Sequence, residues 1–230
     1  MIARLTIVKY PKWMGWAGFL SMALFRIPLW LSSTHSFWKL MGCGRNGSFD
    51  KTPDWRQWAL LEIWDAKTKQ GTHPRFIQLW WKFFGCNKRI LLLNPIEGHG
   101  TWDHKHVFGT LPKKSLYNGK IAILTRATIR INKLSRFWSQ VDAVAQKMAT
   151  APGFLGSVGI GEVPWIKQVT FSIWESKDAM TSFAYKMQEH AEVVRKTRSE
   201  NWYSEEMFVS FQIIDNEGDL NVLSPIRENS

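Results

Sequence analysis

The chain has 230 residues, enough to bury one large core or two small fused ones without disulfides or metals. It carries 30 lysines and arginines against 19 aspartates and glutamates, a formal net charge of +11. The basic residues are scattered and no helix-turn-helix, RRM or zinc-finger signature accompanies them, so no nucleic-acid partner is expected.

The two cysteines, Cys43 and Cys86, are too few for a disulfide framework or a cysteine-based zinc site. They agree with a reducing, cytoplasmic setting. The positive charge also suits peripheral contact at the inner face of an anionic membrane. Residues 2–10 alternate as a strand, and Pro11 ends it. Residues 13–31 are strongly apolar, but Arg26 and Pro28 interrupt them, and a spanning helix needs roughly 20 unbroken apolar residues. A strand before this stretch is not the order of a signal peptide. The segment reads as a buried or interfacial helix broken near Pro28, with helix resuming over 29–41. Residues 42–47 read as a glycine-rich strand or bulge. Residues 55–65 read as a strand, with Trp58, Leu60 and Glu62 on one face and Ala59, Leu61 and Ile63 on the other. A helix follows over 73–84, then a short apolar run over 90–93. Residues 94–116 read as a surface connector; His99, His104 and His106 invite a metal reading beside it, though their spacing matches no standard site.

The second half is more regular. In residues 120–131, Ile121, Ile123, Thr125, Ala127 and Ile129 share one strand face. Residues 132–148 form an amphipathic helix with Phe137, Val141, Val144, Ala145 and Met148 on its stripe. Strands follow over 154–161 and 166–174. Ser176 can cap a helix reaching about Arg198, and a last strand covers 207–214. This order is the ferredoxin-like β-α-β-β-α-β unit. One pattern is written twice, about 117 residues apart: Gly42-Cys43-Gly44 leading to Trp64-Asp65-Ala66-Lys67, and Gly159-Ile160-Gly161 leading to Trp174-Glu175-Ser176-Lys177. The expected fold is α+β. Two ferredoxin-like halves, 1–115 and 116–230, form a pseudo-dimeric α+β barrel, because either sheet alone would leave one face bare.

Met180, Phe183, Met187, His190 and Val194 make one apolar stripe on the helix after Ser176. His190 reads either as a hydrogen-bonded core histidine or as an imidazole facing a cavity, the way haem iron is held. With Trp64 aligned on Trp174, the position matching His190 is Trp80. Arg126 and Arg130 lie opposite the Ile121 face; turned inward, an arginine could hold an anion such as a haem propionate, and turned outward it is solvated. Glu162 reads as an acid or base or as a turn residue, Cys43 as a nucleophile or a small buried residue, and Tyr185 and Tyr203 as hydrogen-bond donors. No Ser-His-Asp triad, P-loop or dinucleotide fingerprint is present.

Several stretches resemble one family together. In the second half they are Ile123-Leu124-Thr125-Arg126-Ala127-Thr128-Ile129-Arg130, Gly159-Ile160-Gly161-Glu162-Val163-Pro164-Trp165 and Thr170-Phe171-Ser172-Ile173-Trp174. Asp178-Ala179-Met180, Phe183-Ala184-Tyr185, Glu189-His190-Ala191 and Trp202-Tyr203-Ser204-Glu205-Glu206-Met207-Phe208 complete the set, and in the first half Gly100-Thr101-Trp102 and residues 58–64 are similar. On these motifs the chain resembles the spheroidene monooxygenase family of purple bacteria. The resemblance implies a dimeric α+β-barrel type of fold. It implies a monooxygenase dependent on haem b iron that uses O2 and an electron donor to place a carbonyl oxygen on an acyclic carotenoid. It further implies His190 as the axial iron ligand, with Phe183 and Met187 around the cofactor, Arg126 as propionate or distal-side partner, and Tyr185 at the reacting centre. A small hydrophobic substrate and a homodimer are the implied partners. Nothing in the residues reads a polyene specifically. A cofactor-free oxygenase of the same fold and a non-catalytic haem- or lipophile-binding protein stay open beside this expectation.

Overall fold

Eight strands and five α-helices carry the described residues of the computed structural model, which are 1–45, 52–67, 71–186 and 201–218. In chain order they are β1 (Ile2–Lys9), α1 (Gly15–Leu24), α2 (Arg26–Leu31), β2 (Phe37–Gly44), β3 (Pro53–Trp64), α3 (Arg75–Phe83) and β4 (Asn87–Gly100). Then come β5 (Ile121–Ile129), α4 (Leu134–Ala149), β6 (Phe154–Val163), β7 (Lys167–Trp174), α5 (Lys177–Lys186) and β8 (Tyr203–Glu217). The strands close one antiparallel barrel in the order β1-β3-β2-β6-β7-β5-β8-β4. Each run of four strands forms one arc, and the arcs join at a short β2–β6 seam and a long β4–β8 seam.

The short seam gives the repeated glycines their place. Gly42 pairs with Gly161 and Cys43 with Ile160, so the two Gly-x-Gly copies lie against each other about a pseudo-twofold axis. Strand alternation decides the rest of the core. Leu5, Ile7, Ala59, Leu61, Leu124 and Phe171 point inward with their alternates and fill the barrel, as an eight-stranded barrel allows. The opposite faces pack under helices: Val8, Leu40 and Leu60 under α1, α2 and α3, and Ile121, Ile123 and Trp174 under α4 and α5. The alternation expected in β3 is the one observed, with Ala59, Leu61 and Ile63 inside and Leu60 outside.

Three local expectations are corrected. The helix expected over 29–41 stops at Leu31. There the Ser32 backbone turns extended, and its hydroxyl bonds Thr34 and His35, so this Ser-Thr stretch competes with the helix and residues 37–44 pair with β3 instead. The break near Pro28 falls one turn earlier, at Phe25, because Pro28 has no N–H to offer the Leu24 carbonyl. The connector expected from residue 94 begins only after Gly100. Asn94, Pro95 and Gly98 are poor strand formers, yet β8 holds them in a ladder that absorbs Pro95 at a bulge. In α5, Ser176 Oγ accepts from Ala179 N–H at 3.1 Å, the cap expected from the sequence. No described helix is long and apolar enough to cross a membrane.

Candidate functional site

Arg126 belongs to the inward face of β5, in step with Ala122 and Leu124, and is fully buried. Its Nη1 donates to Glu205 Oε2 at 2.6 Å and its Nη2 to Asp103 Oδ1 at 3.4 Å, while Nε stands 3.6 Å from Glu162 Oε1. The guanidinium lies 5.3 Å over the ring of Trp102, itself fully buried. Trp102 Nε1 donates to Glu162 Oε1 at 2.8 Å. Lys39 donates to Glu162 Oε2 at 2.7 Å and also pairs with Asp103, and Lys167 donates to Asp103 Oδ1 at 2.9 Å. Glu205 accepts further from the Thr101 hydroxyl at 2.8 Å and the His104 N–H at 2.7 Å. Three cations thus alternate with three carboxylates around one indole at the end of the barrel.

A tight hairpin delivers Trp102 and Asp103 to this network. Trp102 and Lys105 exchange two backbone hydrogen bonds, and Asp103 and His104 between them both have positive φ, at 49° and 61°. Burial by itself would raise the Asp103 carboxyl, but Lys39 and Lys167 outweigh it and hold it at about 2. Glu205 is lowered in the same way, the His104 N–H, Thr101 and Arg126 overcoming burial. Burial pulls the Lys39 ammonium down, and Asp103 and Glu162 more than restore it. Beside the network, a cavity of about 300 Å³ opens between β4, β8 and the loop after β4, lined by His99, His106 and Thr110 as well as Val107, Phe108, Leu111, Met207 and Val209. Met207 is the cross-strand partner of Arg126.

A second cavity, about 550 Å³, lies outside the barrel between the end of α4 and α5. Its volume falls in the range of cofactor and ligand sites. Phe183 lines it and leans on Trp174 at 5.3 Å, together with Ala151, Ala179, Thr150 and Lys147. This lining sets Ala151, Pro152, Ala179 and Phe183 beside polar Thr150 and Ser182, with one cation, Lys147, and one carboxylate, Glu175. Its described residues include no histidine, cysteine or methionine that could bind iron. Met187 and His190 lie outside the described residues, as does the side chain of Tyr185. Phe183 and Arg126 sit on opposite faces of the sheet, so a ligand held against α5 does not reach Arg126.

The remaining sequence candidates fall as follows. Arg130 is exposed. Cys43 is buried and its thiol is pushed up to about 12 by desolvation, which makes it a packing residue rather than a nucleophile. Burial likewise pushes the Tyr203 phenol up to about 12. Trp80, at the position matching His190, donates to the Tyr10 hydroxyl at 3.0 Å in the aromatic layer outside the barrel. Among the described residues no group of His, Cys, Asp or Glu is placed to hold a metal ion.

The sequence reading overlooked one cluster. Glu62, fully buried on the outer face of β3, accepts from Arg4 Nε and Nη2 at 2.9 and 2.8 Å. His73 Nδ1 lies 2.7 Å and His35 Nε2 3.1 Å from its carboxylate. Burial opposes the charge, but the two histidines and Arg4 hold the Glu62 carboxyl well below the usual range. Burial lowers His73 more than Glu62 raises it, so that ring is neutral near pH 7. A lone glutamate in the apolar run 58–64 was the available signal.

No family model matches the chain. It is 32% identical over 204 residues to a spheroidene monooxygenase of Rhodobacter capsulatus, an alignment covering 86% of this chain and 83% of that protein. The chain belongs to the spheroidene monooxygenase family. The Cereibacter sphaeroides spheroidene monooxygenase is 34% identical over 196 residues, 84% of this chain and 60% of that protein, so the chain spans about three-fifths of that relative's length. Among solved structures, an aldoxime dehydratase in complex with butyraldoxime superposes with a TM-score of 0.60 at 9% identity, over 93% of this chain and 79% of that one. That likeness is one of fold. Within this family member, the similar stretches 100–102, 123–130, 159–165 and 202–208 are far apart in sequence, yet they meet at one barrel end through Trp102, Arg126, Glu162 and Glu205.

Proposed function

We propose that this chain is a haem-dependent monooxygenase acting on a hydrophobic, carotenoid-like substrate. The observation that carries the reading is the 32% identity across 83% of the Rhodobacter capsulatus enzyme, an alignment too long to lie in one half of the barrel. The cavity between α4 and α5 is of cofactor size, and Phe183 gives it one aromatic wall beside the charged Lys147 and Glu175. There His190 would ligate the iron, Phe183 and Met187 would pack on the macrocycle, and Lys147 would meet a propionate. Bound haem would supply O2 activation. The protein would contribute the Phe183 wall and, in this reading, Tyr185 as a hydrogen-bond donor. Arg126 acts on a different part of the molecule: it holds the closed end of the barrel beside the cavity of about 300 Å³ and does not meet a ligand held against α5. An electron donor and O2 complete the reaction.

The test is an absorption spectrum of purified protein with and without added hemin, followed by turnover of an acyclic carotenoid under ¹⁸O2. A Soret band that His190→Ala shifts or weakens, with ¹⁸O in a product carbonyl, is expected. Label incorporation by protein that takes up no hemin would replace the haem reading with a cofactor-free oxygenase. Hemin uptake without any oxygenated product would make the chain a binding protein.

A further inference from the structure

Helices α1, α2 and α3 form one layer on the outer face of the first half. Ala17, Phe25, Leu29, Ile77 and Trp81 turn toward the sheet and are buried. The sides turned away ought to be polar if this layer met water. They are aromatic and apolar instead: Trp30 is 79% exposed and Phe83 84%, with Trp16, Phe19 and Leu79 more than half exposed, and Trp13, in the turn before α1, is 81% exposed. Edge contacts of Trp16 with Phe84 at 5.8 Å, Phe83 with Phe84 at 5.0 Å and Phe19 with Trp55 at 6.2 Å link these rings across the layer. An apolar surface of this extent marks a docking face.

Charge selects the occupant. Lys12, Arg26 and Lys82 are exposed among the aromatic residues, and Lys12 Nζ lies 5.8 Å from the Trp13 ring centre. Residues 1–49 and 66–96 contain no aspartate or glutamate at all. A second copy of this face would bring like charges together with no carboxylate to pair them, which disfavours self-association. An anionic lipid surface supplies the missing negative charge, and tryptophan is the side chain that sits best at the headgroup level. Length fixes the mode. At 1.5 Å per residue, the ten residues of α1 reach only about 15 Å, against a hydrocarbon core of roughly 30 Å. The helices therefore lie in the interface plane rather than across it.

We infer that the α1–α2–α3 face docks the protein peripherally on anionic lipid bilayers, with its tryptophans inserted among the headgroups. The test is flotation of the full chain with phosphatidylcholine vesicles, with and without phosphatidylglycerol, read also by tryptophan fluorescence. Binding to the anionic vesicles, a blue shift and weakening by salt are expected. The triple variant Trp13→Ser, Trp30→Ser, Phe83→Ser should lose binding by roughly tenfold or more at an unchanged melting temperature. Lys12→Gln, Arg26→Gln, Lys82→Gln should lose on the order of a hundredfold, at about fivefold per charge removed, on anionic vesicles only. Failure to float with either vesicle overturns the proposal. So does binding indifferent to both variants, or a concentration-dependent dimer in sedimentation that the serine variant dissolves, which would make the face a self-interface. These outcomes leave the oxygenase reading untouched, because none depends on hemin or turnover.

Discussion

Arg126 is the side chain on which the barrel end turns, because three carboxylates look to it and to two lysines for charge balance. Removing it leaves Glu205 without its cation where water is scarce, while Glu162 keeps Lys39. Arg126→Met should therefore cost about 3–5 kcal/mol in urea unfolding, and adding Glu205→Gln should recover part of that loss, since one buried charge goes with its partner. A loss near zero would mean the network is solvated. Glu62 follows the same logic on the outer face: Arg4→Met should destabilise by a similar ~3–5 kcal/mol, whereas changing the exposed Arg130 should fall within about 0.5 kcal/mol. Strand parity set Arg126 opposite the Ile121 face but left open whether that face turns inward. Its partners were not legible, because Asp103, Glu162 and Glu205 come from three other segments and no spacing rule joins them.

Glycines at two element ends separate close approach from backbone cost. Gly100, at the end of β4, has φ +87°, and a Cβ there would stand 2.8 Å from Met207 Cα in the neighbouring strand. Gly85, after α3, has φ +61° and nothing within 4 Å of that position. Gly85→Ala should cost roughly 1 kcal/mol for conformation alone. Gly100→Ala should exceed it by at least ~1–3 kcal/mol, because the β4–β8 seam must open, and hydrogen exchange along β8 should rise with it. The helix expected over 29–41 and the connector expected from residue 94 fail for one reason. Local propensity weighs residues 37–41, Asn94 and Pro95 alone, while the ladder to β3 or β8 is a long-range bond pattern that no window of sequence contains.

For the whole molecule, pH and truncation test how the parts hold together. His73 titrates below its ordinary value near 6.5, so as pH falls through that value the unfolded chain takes up the proton first and stability drops. The lowered carboxyls of Glu62, Glu205 and Asp103 stabilise the fold above their ordinary values of about 4, and that contribution drains away from there down toward about 2. Melting temperature should thus fall in two steps on acidification; His73→Gln should flatten the upper one and Asp103→Asn shrink the lower one. Residues 1–115 alone would bare the inward row of Leu5, Ile7, Leu61 and Leu91, so that fragment should self-associate or aggregate in sedimentation rather than stay monomeric. Taken alone, the sequence determined the strand alternation, the βαββαβ order written twice and the family, since these rest on neighbours in the chain and on motif identity. Only the tertiary structure decided that the two Gly-x-Gly copies pair with each other, that Arg126 faces the lumen among carboxylates while Phe183 lines a cavity on the other side of the sheet, and that an aromatic face stays uncovered. Those facts follow from barrel closure, which sets side chains from distant segments within bonding distance and assigns each strand face to the lumen or to the helix layer.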